Sequence, residues 1–315
     1  MMLPYPGVSR ESSPSYIFLT TEKLTNVTMT TADTYTQEVP PPINQVLTFN
    51  STMTITYPVF FGRTTYHALR IRSTEHISAS ALINQDISTI IPTEKLTTSY
   101  LISFPKFRYF TSMLLIAPVH DNTTFTIFNW SNFSFRPFTL YKALKVYSRE
   151  NTTFTSTLES DVISLVAGTS QEITMYNEDI SVIQSKDPLL VTSYALGTVN
   201  VTTGGPYLTV VPGVNQYLPR YKVVIPNGWN NHYIAVMIRR CAVGGLRLNK
   251  ESIDANTIRI EKNVFVENFE YSVIVAEVTE GEMTLESTDD TPFGLMVYGY
   301  RENNGYGFAG NVLLG

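Results

Sequence analysis

The side chains able to do nucleophilic or acid–base chemistry are few and far apart: His67, His76, His120, His232 and a single Cys241. No two histidines stand at His-x-x-x-His spacing, which would turn both imidazoles toward one metal ion. His120-Asp121 has the composition of a base and its orienting carboxylate. Adjacent residues on a strand point to opposite faces, however, and this pair falls at an expected turn. Each histidine reads more simply as solvated or hydrogen-bonded. Cys241 has no histidine beside it in sequence to favour a thiolate. It closes a strand-like run, residues 233–239, so its simplest reading is a small buried apolar residue. The sharper reading is an intermolecular thiol.

Acidic residues offer two further constellations. Glu282, Glu286, Asp289 and Asp290 lie close together and could approach a calcium ion. Calcium needs about six or more oxygens, and the EF-hand loop pattern is absent, so a solvated acidic turn is expected. Asp161, Glu172 and Glu270 could supply the two carboxylates of a glycosidase, held about 5–10 Å apart across a cleft. With 27 acidic residues in the chain, such pairs carry little weight. Gly204-Gly205 is followed by Pro206, whose missing N–H spoils a phosphate cradle. No Gly-x-Ser-x-Gly elbow occurs. The expectation is a non-enzymatic chain with no cofactor and no metal. The alternative is a carbohydrate-active hydrolase on a β scaffold.

The elements that would position these residues are strands. The chain has 315 residues, 43% hydrophobic and 16% charged, which suits a packed core. Its net charge of −5 argues against nucleic acid as a partner. The longest apolar run, residues 113–119, falls far short of the roughly 20 residues that span a bilayer. Residues 16–31, 46–57, 123–128 and 258–264 alternate apolar and polar side chains, and turn residues recur between short runs. Residues 139–147 are the best helix candidate, though their pattern fits a strand as well. The class expected is all-β, of sandwich type.

Three stretches share one pattern: LRIRSTEHISASAL from 69, VIQSKDPLLVTSYAL from 182 and TLESTDDTPFGLMVYG from 284. Each reads as a hairpin: a strand, a serine with polar turn residues, and a second strand. They recur at roughly 100 residues, the size of one small β domain. The organisation expected is therefore about three tandem sandwich-like units. These are a flexible lead-in at 1–15, a first unit at 16–96 that looks shortened at its N-terminal side, a second at 97–205 and a third at 206–315. Near the close, Tyr298, Tyr300, Tyr306 and Phe308 could form a binding platform. Alternation places Tyr298 and Tyr300 on one face, which favours cross-strand packing.

Asn-x-Ser/Thr occurs at Asn26, Asn50, Asn122, Asn129, Asn132, Asn151 and Asn200. Composition alone gives about four, so the excess leans toward secretion and N-glycosylation. No apolar signal-peptide core is visible in residues 1–15, and an incomplete start is the expectation adopted here. The sequons all precede Val201, which leaves the third unit as the more contact-ready surface.

The order of four segments resembles a known family. YHALRIRSTEHISASALIN, VIQSKDPLLVTSYA, PYLTVVPGVNQYLPRYKVV and MVYGYRENNGYGFAGN are similar, in that order, to segments of the IgG Fc-binding protein N-terminal domain family, mucin-like secreted glycoproteins. The resemblance covers residues 65–315 and keeps Pro188 in place. Vertebrate members carry paired cysteines near the second segment, and this chain has none there. The resemblance implies an extracellular or cell-surface adhesion module that binds a protein, glycoprotein or glycan ligand, mucin-like in character, and that could self-associate. It carries over no binding residues.

Overall fold

The computed structural model describes residues 2–3, 15–31, 44–57, 69–83, 86–103, 111–120, 123–130, 144–147, 157–160, 163–165, 171–176, 180–196, 207–301 and 304–310. These residues are all-β: antiparallel strands, four short 3-10 helices and no α-helix. The first strands are β1 (Met2–Leu3), β2 (Ser15–Thr21), β3 (Thr25–Thr31), β4 (Asn44–Phe49), β5 (Thr52–Tyr57), β6 (Leu69–Ser73), β7 (Ile77–Ile83) and β8 (Asp86–Thr89). They form two sheets, β1-β6-β3-β4 and β5-β2-β7-β8. Period-two alternation explains the pairing of faces. Ile17 and Leu19 turn in to meet Val27, Met29 and Ile71 of the other sheet, while Phe18 and Thr20 turn out.

Next come β9 (Thr97–Ser103), β10 (Thr111–Pro118), β11 (Thr123–Trp130), β12 (Leu144–Tyr147), β13 (Thr157–Ser160), β14 (Ile163–Leu165), β15 (Gln171–Tyr176), β16 (Ile180–Leu196) and β17 (Tyr207–Val210). Strand β16 is the hub: β9, β10, β11 and β17 all hydrogen-bond to it, while β14 and β15 flank β11 and β10. Strands β12 and β13 pair separately. In the helix-candidate stretch 139–147, residues 144–147 are strand and the rest lie outside the described residues.

The last strands are β18 (Arg220–Ile225), β19 (Asn231–Arg239), β20 (Leu246–Leu248), β21 (Ile258–Val266), β22 (Phe269–Glu277), β23 (Gly281–Ser287), β24 (Phe293–Arg301) and β25 (Asn304–Ala309). They form the sheets β18-β23-β20 and β21-β22-β19-β24-β25. The five-stranded sheet is covered on both faces. Ile234, Val236, Ile274 and Leu295 meet Tyr221, Met283 and Leu285 of the three-stranded sheet. Ala235, Met237, Val273, Val275 and Tyr298 meet Leu101 of β9, Ile180 and Val182 of β16, and Tyr207 of β17. Such a sheet needs unbroken apolar runs rather than alternation, and residues 234–238 and 271–276 are buried throughout. Strand β17, read from sequence as the opening of the third unit, hydrogen-bonds to β16 instead.

The three serine-containing stretches are corners, not hairpins. Strands β6 and β7 lie in different sheets, as do β23 and β24. The middle stretch is one continuous strand, β16, whose pairing with β9 shifts register between Gln184 and Leu189. The physical reason lies in the turn residues. In the first and third stretches the polar turn residues end one ladder and the chain crosses to another sheet, whereas in the middle one Pro188, which has no N–H to donate, falls at the register shift and the strand continues in the same sheet. The serine does the same work in each corner by bonding two residues ahead. Ser73 Oγ donates to the Glu75 carbonyl at 2.7 Å, the Asp187 N–H donates to Ser185 Oγ at 3.3 Å, and Ser287 Oγ donates to Asp289 Oδ1.

Candidate functional site

The residues that could act with a partner cluster at the tip of the β21–β22 hairpin. Val266 pairs with Phe269 across the two-residue turn Glu267-Asn268, with Glu267 in the left-handed region at φ 54°. Two aromatic rings are presented there to solvent: Phe265 is 62% exposed and Phe269 46%. Period two sends them to opposite faces of the hairpin. The guanidinium carbon of Arg239 lies 4.0 Å from the Phe269 ring centroid, a cation–π contact. On the other face Glu270, the cross-strand partner of Phe265, is held by Arg240 Nη1 at 2.6 Å. The tip is braced from outside its sheet. Ser99 Oγ of β9 donates to Glu267 Oε1 at 2.5 Å, which limits how far the turn can move. Exposed aromatics beside arginines are the composition of protein-binding hot spots, and a braced loop loses little freedom on binding.

Cys241 follows directly, in the 3-10 helix Arg240–Gly245, and is exposed. The buried apolar reading is thus corrected. The strand ends at Arg239, and the tight turn swings residue 241 outward while Ala242 takes the buried place.

The remaining candidates are dispersed. His76 and His120 are exposed at turns, and His67 lies outside the described residues. His232 is buried, with Nδ1 2.9 Å from the Tyr306 hydroxyl. No group of three or more His, Cys, Asp or Glu among the described residues could hold a metal ion. In the acidic turn, Glu286 pairs with Arg220 at 3.1 Å and Glu282 with Lys222 at 3.0 Å. Asp289 accepts from Ser287 Oγ and from the Thr291 N–H, and these bonds hold its carboxyl below the usual range. Of the three proposed hydrolase acids, two fall on described strands. Glu172 sits on β15 of the middle sheet, Glu270 on β22 is engaged by Arg240, and Asp161 is outside the described residues.

The closing aromatics are packing groups. Tyr298 is 2% exposed, and Tyr233 stacks on Tyr298 and Tyr300 with centroids 5.6 and 6.2 Å away. Tyr306 stacks on Phe308 and meets Trp229 edge-on. Of the sequons, Asn26 and Asn50 are exposed, and Asn26 Oδ1 accepts from Thr48 Oγ1 at 2.7 Å. Asn129 lies on β11, and Asn122, Asn132, Asn151 and Asn200 are outside the described residues. The hairpin tip was not singled out in sequence. The signal was present in Phe265-Val266-Glu267-Asn268-Phe269, where two aromatics flank a turn that a core has no means of covering.

No helix among the described residues is long and apolar enough to cross a membrane. Comparison with curated proteins and with solved structures yields no match. A family model described as "IgGFc binding protein" does match, over residues 139–299, a little over half of the chain. The matched span includes β16, the paired sheets from β18 to β23, the exposed hairpin tip and nearly all of β24. On that match, this chain belongs to the IgGFc binding protein family.

Proposed function

We propose that this chain is an extracellular, non-catalytic adhesion module that recognises protein or glycan ligands, mucin-like glycoproteins among them. The observation that carries the reading is the braced β21–β22 tip, where Phe265 and Phe269 stand exposed beside Arg239 and Arg240. Membership of a binding family supports it, as do the exposed sequons Asn26 and Asn50. The engagement of Glu270 by Arg240 counts against its service in a paired-carboxylate hydrolase. Self-association through the exposed Cys241 is compatible with this reading.

The test has two stages. The chain is secreted from animal cells behind a signal peptide, and the product is digested with an N-glycosidase. A soluble product that loses mass is expected; a retained, unmodified product removes the extracellular reading. Binding of a purified secreted mucin to the immobilised chain is then compared with Phe265→Ser and Phe269→Ser. Loss of about tenfold or more per ring is expected, as for hot-spot aromatics. Unchanged binding would show that the tip is not the contact surface.

A further inference from the structure

We propose that the outer face of the sheet β5-β2-β7-β8 docks an uncharged saccharide chain, with Tyr16 and Phe18 as its stacking platform. The proposal rests on the binding-module reading and names a second face and a ligand class for it. Strand β2 lies in the middle of this face, between β5 and β7. Its inward residues Ile17 and Leu19 make the core, so Phe18 does not serve the interior; it is 36% exposed at the centre of a sheet. The Tyr16 ring stacks beside it, with centroids 6.3 Å apart and planes at 22°. The two rings make one apolar strip along the strand.

The surroundings of that strip set the ligand class. On one side Thr52 and Thr54 of β5 are exposed, and Thr54 pairs with Phe18. On the other, Ser78 and Ser80 of β7 stand next to Thr20 and Phe18. The four described flanking side chains, Thr52, Thr54, Ser78 and Ser80, are hydroxyls and uncharged, and the register partners of Tyr16 are Thr56 and Leu82, also uncharged. The outer face of β18-β23-β20 shows the ordinary alternative, covered by the pairs Arg220–Glu286 and Lys222–Glu282. Past the end of β2, Glu22 is exposed and Lys23 pairs with Glu75.

A neutral hydroxyl-and-ring surface complements a pyranose chain. The C–H face of a sugar packs on an aromatic ring, and its hydroxyls exchange hydrogen bonds with Ser and Thr without desolvating a charge. An acidic or basic peptide finds no counter-charge here.

The test uses the full secreted chain on an array of neutral, sialylated and sulfated oligosaccharides, followed by titration of the best neutral ligand. Phe18→Ser and Tyr16→Ser are each expected to weaken that ligand about tenfold. Val224→Ser, at an exposed apolar residue on β18 assigned to no site, should leave it unchanged. Thermal melts of the variants should match the parent, because neither ring is in the core. Absence of neutral binders while the mucin still binds would overturn this proposal and leave the binding-module reading standing. A preference for charged glycans, or indifference to both ring substitutions, would overturn it too. The array is repeated after N-glycosidase digestion. Binding seen only then would place the chain's own glycan on this face, and the proposal of an external ligand would fail.

Discussion

The Tyr221 hydroxyl donates to the Phe293 carbonyl at 2.6 Å and accepts the Leu218 N–H at 2.9 Å. It thereby ties β18 of the three-stranded sheet to the start of β24 in the five-stranded one. Tyr100 repeats the arrangement, accepting the Thr97 N–H at 3.3 Å and donating to the Leu189 carbonyl on β16. Each tyrosine follows a 3-10 helix, Val214–Gln216 or Thr93–Lys95, and each reaches strand residues just past a serine corner. The two helices touch: Gln216 Nε2 donates to the Lys95 carbonyl at 2.8 Å.

Removing the hydroxyl leaves a buried carbonyl and a backbone N–H without their partner. Tyr221→Phe keeps the edge-on contact with Phe293 but is expected to cost about 1–3 kcal/mol. Urea unfolding of the full chain measures this, and a change within about 0.5 kcal/mol would contradict the account.

The same hydroxyl predicts an alkaline limit. Burial pushes Tyr221 up from 10.0 to about 12, with the Leu218 N–H opposing the shift. A raised folded-state value means the neutral form is favoured by folding. That stabilisation is complete below about pH 10 and is lost as pH rises toward about 12. The urea midpoint of the parent should fall through that window more steeply than that of Tyr221→Phe.

Asp289 predicts the opposite limb. Its carboxyl is depressed first by the Ser287 hydroxyl, then by the Thr291 N–H. A depressed value contributes stability above the ordinary carboxylate range, about pH 4, and loses it as pH falls further. Asp289→Asn should therefore flatten the acid side of the stability curve by lowering stability at neutral pH, where the carboxylate's contribution is fully present, and leave the acid end little changed. An unaltered acid slope would refute the assignment.

Two glycines separate crowding from conformational freedom. A Cβ on Gly299 would lie 2.4 Å from the Tyr306 ring and 2.6 Å from the Asn231 carbonyl oxygen, whereas one on Gly244 meets nothing within 4 Å. Gly299→Ala should destabilise by about 1–3 kcal/mol, and Gly244→Ala should stay within about 0.5 kcal/mol of the parent. Thermal melts of the pair decide this.

Cys241 should react with a thiol reagent in the native protein at a rate unaffected by added urea below the unfolding transition. Protection until global unfolding would restore the buried reading.

The class was legible because alternation is local. Ile17 and Leu19 against Phe18 and Thr20 announce a half-buried strand without knowledge of any partner. Pairing was not legible. Ser73, Ser185 and Ser287 mark breaks, but whether a break folds back or crosses to another sheet depends on strands far away, such as β3 for β6 and β18 for β23. The same limit concealed Cys241, since a strand end and a turn one residue later differ in burial but not in composition. Phe18 and Phe265 were not singled out in sequence for a related reason. An apolar residue type signals a preference for burial, and only the assembled sheets show where no cover arrives.

Strand β16 also fixes an order in time. Strands β9, β10 and β11 find neighbours in β16, and β9 has no other sheet partner among the described strands. On the ribosome β10 and β11 can pair with β15 and β14 before β16 is made, but β9 emerges first and meets its described partner only when β16 has been made. At about 5–20 residues per second, that leaves sticky apolar edges open for seconds in every round of synthesis. The nascent chain must be sheltered over that interval, and slowing translation upstream of β16 lengthens the exposure.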